Sequence, residues 1–390
     1  MYFYLKATRI MFLALRELAF AKGRFSLMGA VIALIAILTV LLSGLSSGLV
    51  NDGVSGLKAM PVSAFAFDEG TKTDNAFSRS IIEDEQVTAW RDQPGITAAS
   101  PMGSSMMNAT TDEGTQVDVA FFGVEPDSFL SPEVSEGNSL GPIEGIVVSE
   151  TLRDEGVELG TVLTLERIDS ELTVVGFTEG QATFGHVDIA YSPLSTWQLI
   201  AAGQATPGTP TSQDIAALDF NYSSVVALQY ADDQTVDLGA GDAAANTTTM
   251  SLTESFNASP GYQAETMTLE MIQVFLYAIC ALVVGAFFSV WTIQRKQEIA
   301  VLRAIGAPVW YLLRDGLGQA ALLLVIFTAV GIGLGVGMGT AMPDGMPFAL
   351  EAGPIAVAAT LTIVLGLVGA AVSILRITRV DPLTALGGNR

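Results

Sequence analysis

The stretch 294–307, QRKQEIAVLRAIGA, follows directly on an apolar run, 267–293, whose only charged residue is Glu270. That run exceeds the roughly 20 residues a helix needs to cross a bilayer. Within 294–307 stand Arg295, Lys296, Glu298 and Arg303, and Gly306 breaks the pattern. Ile299, Leu302 and Ile305 supply an apolar stripe beside the charges, so the segment reads as a short two-faced helix. A stop-transfer cluster needs only the charges. The ordered apolar stripe ending at Gly306 points instead to a lever joined to a membrane span, able to pass force between a soluble partner and the span.

Three further runs have the same character: 25–50, 316–339 and 355–375. The expectation is a membrane α-helical protein with four transmembrane helices and both termini on one side. Basic residues set the orientation, because short cytoplasmic segments collect Lys and Arg. Lys6, Arg9, Arg16, Lys22 and Arg24 precede the first run, Arg295, Lys296, Arg303 and Arg314 lie between the second and third, and Arg376, Arg379 and Arg390 follow the fourth. The long segment 51–266 carries most of the acids. Both termini and 294–315 are therefore expected in the cytoplasm, with 51–266 as one α+β extracytoplasmic domain inserted between helices 1 and 2, 340–354 as an outer loop and 376–390 as a cytoplasmic tail. Residues 1–24 alternate apolar and basic positions, which suits an amphipathic helix on the inner leaflet or a plain positive-inside anchor. No cleavable signal peptide is expected, since the run after residue 24 is too long for an h-region.

Of 390 residues half are hydrophobic, and 18 Lys+Arg against 40 Asp+Glu leave a net charge of −22. That balance excludes nucleic acid as a partner, because phosphate contacts need clustered cations. Cys280 is the single cysteine, so no intrachain disulfide is possible. In the inserted domain, strands are expected at 64–67, 117–124, 145–149, 162–165, 172–177 and 224–230, helices at 83–90 and 192–202, and surface loops at 203–221 and 231–249. The acidic surface reads as a solvated face. Glycines at 331, 333, 335, 337 and 339, like the small residues at 43–48, suit close packing on a neighbouring span or a second copy. A P-loop, a nucleophile elbow and an HExxH motif are all missing, so the chain does not read as an enzyme and ATP hydrolysis is expected elsewhere. His186 reads as an ordinary hydrogen-bonded histidine sooner than as a ligand, and Met102, Met106 and Met107 as core sooner than as a metal or haem site.

Taken with the topology, three motifs resemble the permease subunits of MacB/FtsX-type ABC transporters. QRKQEIAVLRAIGA looks like that family's cytoplasmic signature after span two, and Val380-Asp381-Pro382-Leu383-Thr384-Ala385-Leu386 looks like its closing D-P-x-x-A-L. Leu15-Arg16-Glu17-Leu18 with Lys22-Gly23-Arg24-Phe25, the Gly44-Leu45-x-x-Gly48-Leu49 end of span one and Gly285-Ala286-Phe287-Phe288 resemble the DevC/HrtB, haem-exporting branch. The likeness covers 10–60 and 265–390 well and the inserted domain loosely. It implies a homodimer in the plasma membrane, in contact with lipid, working with two copies of a cytoplasmic ABC ATPase. Arg295, Lys296, Glu298, Arg303, Gly306, Asp381 and Pro382 would contact that ATPase.

The substrate turns on Glu270, a carboxylate that is costly inside a span unless it has a partner. Met267, Gln273 and Tyr277 share its helical face at i−3, i+3 and i+7. Such a face could hold a membrane-dissolved haem, with Glu270 on the iron and apolar groups on the porphyrin. Haem is then transported ligand, and no permanently bound cofactor is expected. Tyr262 and His186 are the next candidates. A helix-start glutamate favoured by the dipole is the plain alternative. Two other functions stay open: export of another amphiphile such as a lipid, antibiotic or glycolipid, and an FtsX-like transmitter that activates a cell-wall hydrolase without transport.

Overall fold

The computed structural model describes residues 22–141, 143–166, 168–218, 221–231, 236–294, 301, 305–306, 308–343 and 346–378. Contacts divide the chain into Leu49–Thr266 and the remainder. In chain order, helix α1 is Lys22–Ala59, and the strands that follow are β1 Ala64–Asp68, then, after helix α2 (Asp84–Arg91), β2 Ala98–Thr111, β3 Gln116–Val124, β4 Glu136–Gly137, β5 Gly145–Val148, β6 Val162–Leu165, β7 Ser170–Phe177, β8 Thr183–Phe184 and β9 Val187–Pro193. Helix α3 (Leu194–Ala201), β10 (Val225–Gln229), helix α4 (Leu238–Ala245) and β11 (Thr247–Ser251) complete the inserted unit. Helices α5 (Tyr262–Gln294), α6 (Val309–Gly339) and α7 (Ala352–Thr378) follow. Among the described residues, four helices are long and apolar enough to cross a membrane: Ser26–Ala59 within α1, all of α5, Leu313–Gly339 and Ala352–Arg376.

The strands of Leu49–Thr266 form one mixed sheet in the order β11-β1-β10-β2-β3-β9-β5-β7-β4, with β6 bridging β2 and β7 and β8 hairpinned onto β9. β3–β9 and β5–β7 are parallel and the other pairs antiparallel. Side chains on a strand alternate between faces, and β1 shows the consequence. Phe65 and Phe67 enter a core with Phe77, Phe122 and Phe184. Ala64 and Ala66 meet Trp90 of α2 on the other face, where the small side chains leave room for the indole. A second core gathers Val119, Phe121, Ile146, Val148, Leu172 and Phe177 around Trp197 of α3. Gly103 of β2 and Gly123 of β3 are cross-strand partners beneath that ring. A Cβ on them would stand 2.1 and 2.3 Å from Trp197 atoms.

Two parts of the sequence fold differently from expectation. The segment 98–111 carries no expected strand, yet β2 is the longest strand of the sheet, pairing with β10, β3 and β6. Its Ala, Ser, Gly and Met content conceals it, because what selects it is the partners on both sides. The loop expected at 231–249 gives way to α4 and most of β11. Asp237 caps α4 by accepting from the Ala240 N–H, and Gly241, which reads as a breaker, lies where a Cβ would be 2.4 Å from Trp90. Within 203–221 one helical turn, Ser212–Ala216, is closed by the Thr211–Asp214 capping box. β11 is an edge strand, and two of its backbone donors are taken by side chains: Thr249 N–H donates to Asp242 and Ser251 N–H to Glu254, at 3.1 and 3.0 Å.

The helical unit packs Met28, Ile32 and Ile35 of α1 against Cys280, Val284 and Phe288 of α5, Leu323 and Leu324 of α6, and Ala370 and Ile374 of α7. Small residues let the backbones close in. A Cβ on Gly331 would lie 2.5 Å from the Ala33 carbonyl oxygen, and one on Gly335 2.9 Å from Val40, so α1 and α6 touch along an i, i+4 stripe. Gly333 and Gly337 have nothing within 4 Å. Of the five alternate glycines, half a helix turn separates those used here from those left bare. The expected amphipathic segment 1–24 lies outside the described residues up to residue 21, and the tail 376–390 does so beyond residue 378.

Candidate functional site

Helix α5 starts at Tyr262, just after Gly261 in the left-handed region at φ +76°, and Glu265 lies in its first turn. Leu269, Cys280, Val284 and Phe288 turn inward and are buried. Met267 is 62% exposed, and Met271, Val274 and Phe275 continue an open apolar arc. Glu270 is exposed at the border of this arc, while Gln273 and Tyr277 beside it are half-buried. Glu270 is the sole carboxylate of α5 beyond its first turn. It makes no ion pair among the described residues. All four of Met267, Glu270, Gln273 and Tyr277 therefore lie on one continuous helix, with the carboxylate and Met267 facing outward. Such a surface can present one hard oxygen donor amid soft, apolar contacts.

Of the residues expected to meet an ATPase, Gly306 is described: it has φ +95°, a conformation glycine adopts without penalty, in a turn beside an Ile305 that is 80% exposed. Arg295, Lys296, Glu298, Arg303, Asp381 and Pro382 lie outside the described residues. Met102 is buried in the first sheet core and Met107 packs partly against the second.

His186 is hydrogen-bonded through both ring nitrogens. Nδ1 lies 2.8 Å from a carboxylate oxygen of Asp52, and Nε2 2.9 Å from one of Glu265. Burial lowers its proton affinity, but hydrogen bonds and charge from Asp52 and Glu265 outweigh that, and its pKa is raised overall. Sequence reading foresaw a hydrogen-bonded histidine and missed both partners. The pairs are separated by 134 and 79 residues, so no local spacing announces them. Tyr262 packs edge-on to Phe256, at 6.1 Å between ring centroids.

Residues 27–238 match the family described as the MacB-like periplasmic core domain, and residues 271–382 match the FtsX-like permease C-terminal family. The chain is 23% identical over 376 residues to a protein of Staphylococcus haemolyticus named "Putative hemin transport system permease protein HrtB", covering 96% of this chain and 99% of that one. A Staphylococcus epidermidis protein of the same name is 25% identical over 381 residues, with 97% and 99% covered. An uncharacterised ABC transporter permease of Mycobacterium tuberculosis is 25% identical over 381 residues, with 97% and 100% covered. Among solved structures, the periplasmic region of MacB from Actinobacillus actinomycetemcomitans is 12% identical with a TM-score of 0.35, covering 50% of this chain and 91% of that one. The extracellular domain of the transporter YknZ is 13% identical with a TM-score of 0.32, covering 47% and 89%.

Proposed function

The chain belongs to the MacB/FtsX-type family of ABC transporter permeases, and on that premise we propose that it exports haem from the outer leaflet, driven by a separate cytoplasmic ATPase. The observation that carries the cargo assignment is Glu270, a carboxylate exposed at the border of the apolar arc of α5. Near-full-length relatives bearing a hemin-transport name support it. Met267, Gln273 and Tyr277 would frame the porphyrin while Glu270 ligates the iron, an oxygen donor suiting the harder ferric ion.

In this reading the permease is a homodimer with both termini and the 294–315 segment in the cytoplasm and the sheet domain outside. Two ATPase copies close on ATP and push on 294–307 and on the tail around Asp381 and Pro382. Work done there reaches the cargo face because α5 runs through Gln294, and the coupling segment 294–307 continues the chain from it. Binding and driving force are thus assigned to opposite ends of one helix.

The deciding experiment is the absorption spectrum of the purified full chain titrated with haem. A saturable Soret shift that is absent in Glu270→Ala supports the assignment. No shift with the parent chain, or the same shift with the variant, overturns it.

A further inference from the structure

The two-residue turn between β8 and β9, Gly185-His186, has φ of +60° and +66°, the positive pair of a tight hairpin. A histidine in the left-handed region is uncommon, and glycine would occupy that position without strain. The turn is seated on the far part of α1. Gly185 N–H donates to the Gly53 carbonyl at 2.9 Å, Ser55 and Thr183 hydroxyls meet at 2.6 Å, and Gln181 donates to Asp52 at 2.9 Å. These contacts bracket Val54, whose φ −146°, ψ 17° break the helix. From this seat the imidazole reaches Asp52 on α1 and Glu265 on the first turn of α5.

The hydrogen-bond inventory fixes the proton count. A neutral imidazole has one N–H donor and one acceptor nitrogen, and an ionised carboxylate accepts only. Two carboxylates, one on each ring nitrogen, are satisfied together only when both nitrogens carry protons. We propose that His186 is a proton-operated latch joining the kinked end of α1 to the start of α5, closed as the imidazolium and released from one carboxylate as the neutral ring.

The groups bonded to the imidazole are Asp52 from α1 and Glu265 from α5; the Tyr262 ring lies beside the same Gly53 as the imidazole, and Gln181, on the approach to β8, donates to Asp52. Among the described residues no Lys or Arg pairs with either carboxylate. His186 is thus their cationic partner, and its loss leaves like charges facing each other. The raised pKa agrees in direction. A raised folded-state value means that the latch is fully held below the ordinary histidine value, near 6.5, and is lost as pH climbs through the folded one. The latch operates whatever the cargo. α1 and α5 are the two connections between the inserted sheet domain and the apolar helices, so a proton here acts on both connections at once.

His186 is the single histidine of the chain, so nitrogen-15 histidine labelling reports it alone. In the full chain in nanodiscs, its ring signals should titrate above the ordinary histidine value, and Asp52→Asn or Glu265→Gln should each lower that midpoint. Spin labels at Lys58→Cys and Gln263→Cys, in a Cys280→Ala background, read the α1–α5 separation. The distance distribution should be narrow at acid pH and broaden as His186 loses its proton. His186→Gln and His186→Gly should hold the broad distribution at every pH, the glycine variant being free of backbone strain. A midpoint at or below the ordinary value, or label distances that match those of the variants at all pH values, would overturn the latch.

Discussion

Gly369 of α7 meets Ala281 of α5 backbone to backbone: a Cβ on the glycine would stand 2.2 Å from the Ala281 carbonyl oxygen. Nothing flexible is there to yield. Gly369→Leu should therefore force α5 and α7 apart, at an overpacking cost of about 1–3 kcal/mol. Gly337→Ala is the matched control, since that position has nothing within 4 Å, and alanine is the better helix former by roughly 1 kcal/mol. Thermal unfolding of the detergent-solubilised chain should fall for the first and hold or rise for the second. Equal effects would mean that the two glycine faces are interchangeable.

In the sheet domain, Trp197 over Gly103 and Gly123 makes a comparable point. Trp197→Ala removes a ring that is 2% exposed and should cost about 3–5 kcal/mol. Gly103→Val drives a branched side chain into that ring and should destabilise too, whereas Gly114→Ser, in a turn with nothing within 4 Å though at φ +86°, should cost about 1 kcal/mol. Denaturant midpoints of the three variants should fall in that order of severity, with Gly114→Ser mildest.

Glu270 variants separate ligation from packing. Glu270→Ala should abolish haem binding and leave cells haem-sensitive, with expression and ATPase assembly unchanged. Glu270→Gln keeps the shape and should lose most of the ligation. Wild-type binding and export by both would return Glu270 to the rank of a helix-start residue and shift attention to Tyr262 and His186.

Purified alone, the chain should hydrolyse no ATP, and activity should arise on adding the cognate ATPase. Exchanging the charges, Glu298→Arg with Arg303→Glu, should uncouple hydrolysis from transport. Robust hydrolysis by the isolated polypeptide would sink the permease reading of its mechanism, and undiminished transport by the exchange variant would remove the coupling role from 294–307.

Orientation can be read by labelling introduced cysteines from outside intact cells, in a Cys280→Ala background. Ser139→Cys and Ser212→Cys should react, and Gln297→Cys and Thr384→Cys should not. Outside labelling at Gln297 would invert the topology.

The four apolar helices were plain in the sequence because a bilayer demands long uncharged runs, and little else satisfies that demand. Strands such as β1, β3 and β7 were legible through their β-branched and aromatic residues. β2 was not, since AASPMGSSMMNATT has little intrinsic strand preference and is held by neighbours on both sides. α4 was hidden by Gly239 and Gly241, and the bareness of Gly241 is required by Trp90, a residue far away in the chain. For the candidate site, the residues around Glu270 were visible because they lie within three helical turns. Asp52, His186 and Glu265 were individually ordinary, and only the fold brings them together.

The sealed border of the sheet has a consequence for life at a crowded membrane surface. An exposed edge strand templates pairing with any extended chain that approaches, and proteins confined to two dimensions meet often. Here the N–H groups of Thr249 and Ser251 already point at Asp242 and Glu254, so an incoming strand would find acceptors of negative charge where it needs free donors. Hydrogen bonds from the Ser251 hydroxyl and backbone hold Glu254 below its ordinary pKa. The seal is therefore kept above the usual carboxylate range and weakens only as pH falls through that lowered value. At the β11 border, neighbouring copies can crowd side by side without adding strand to strand.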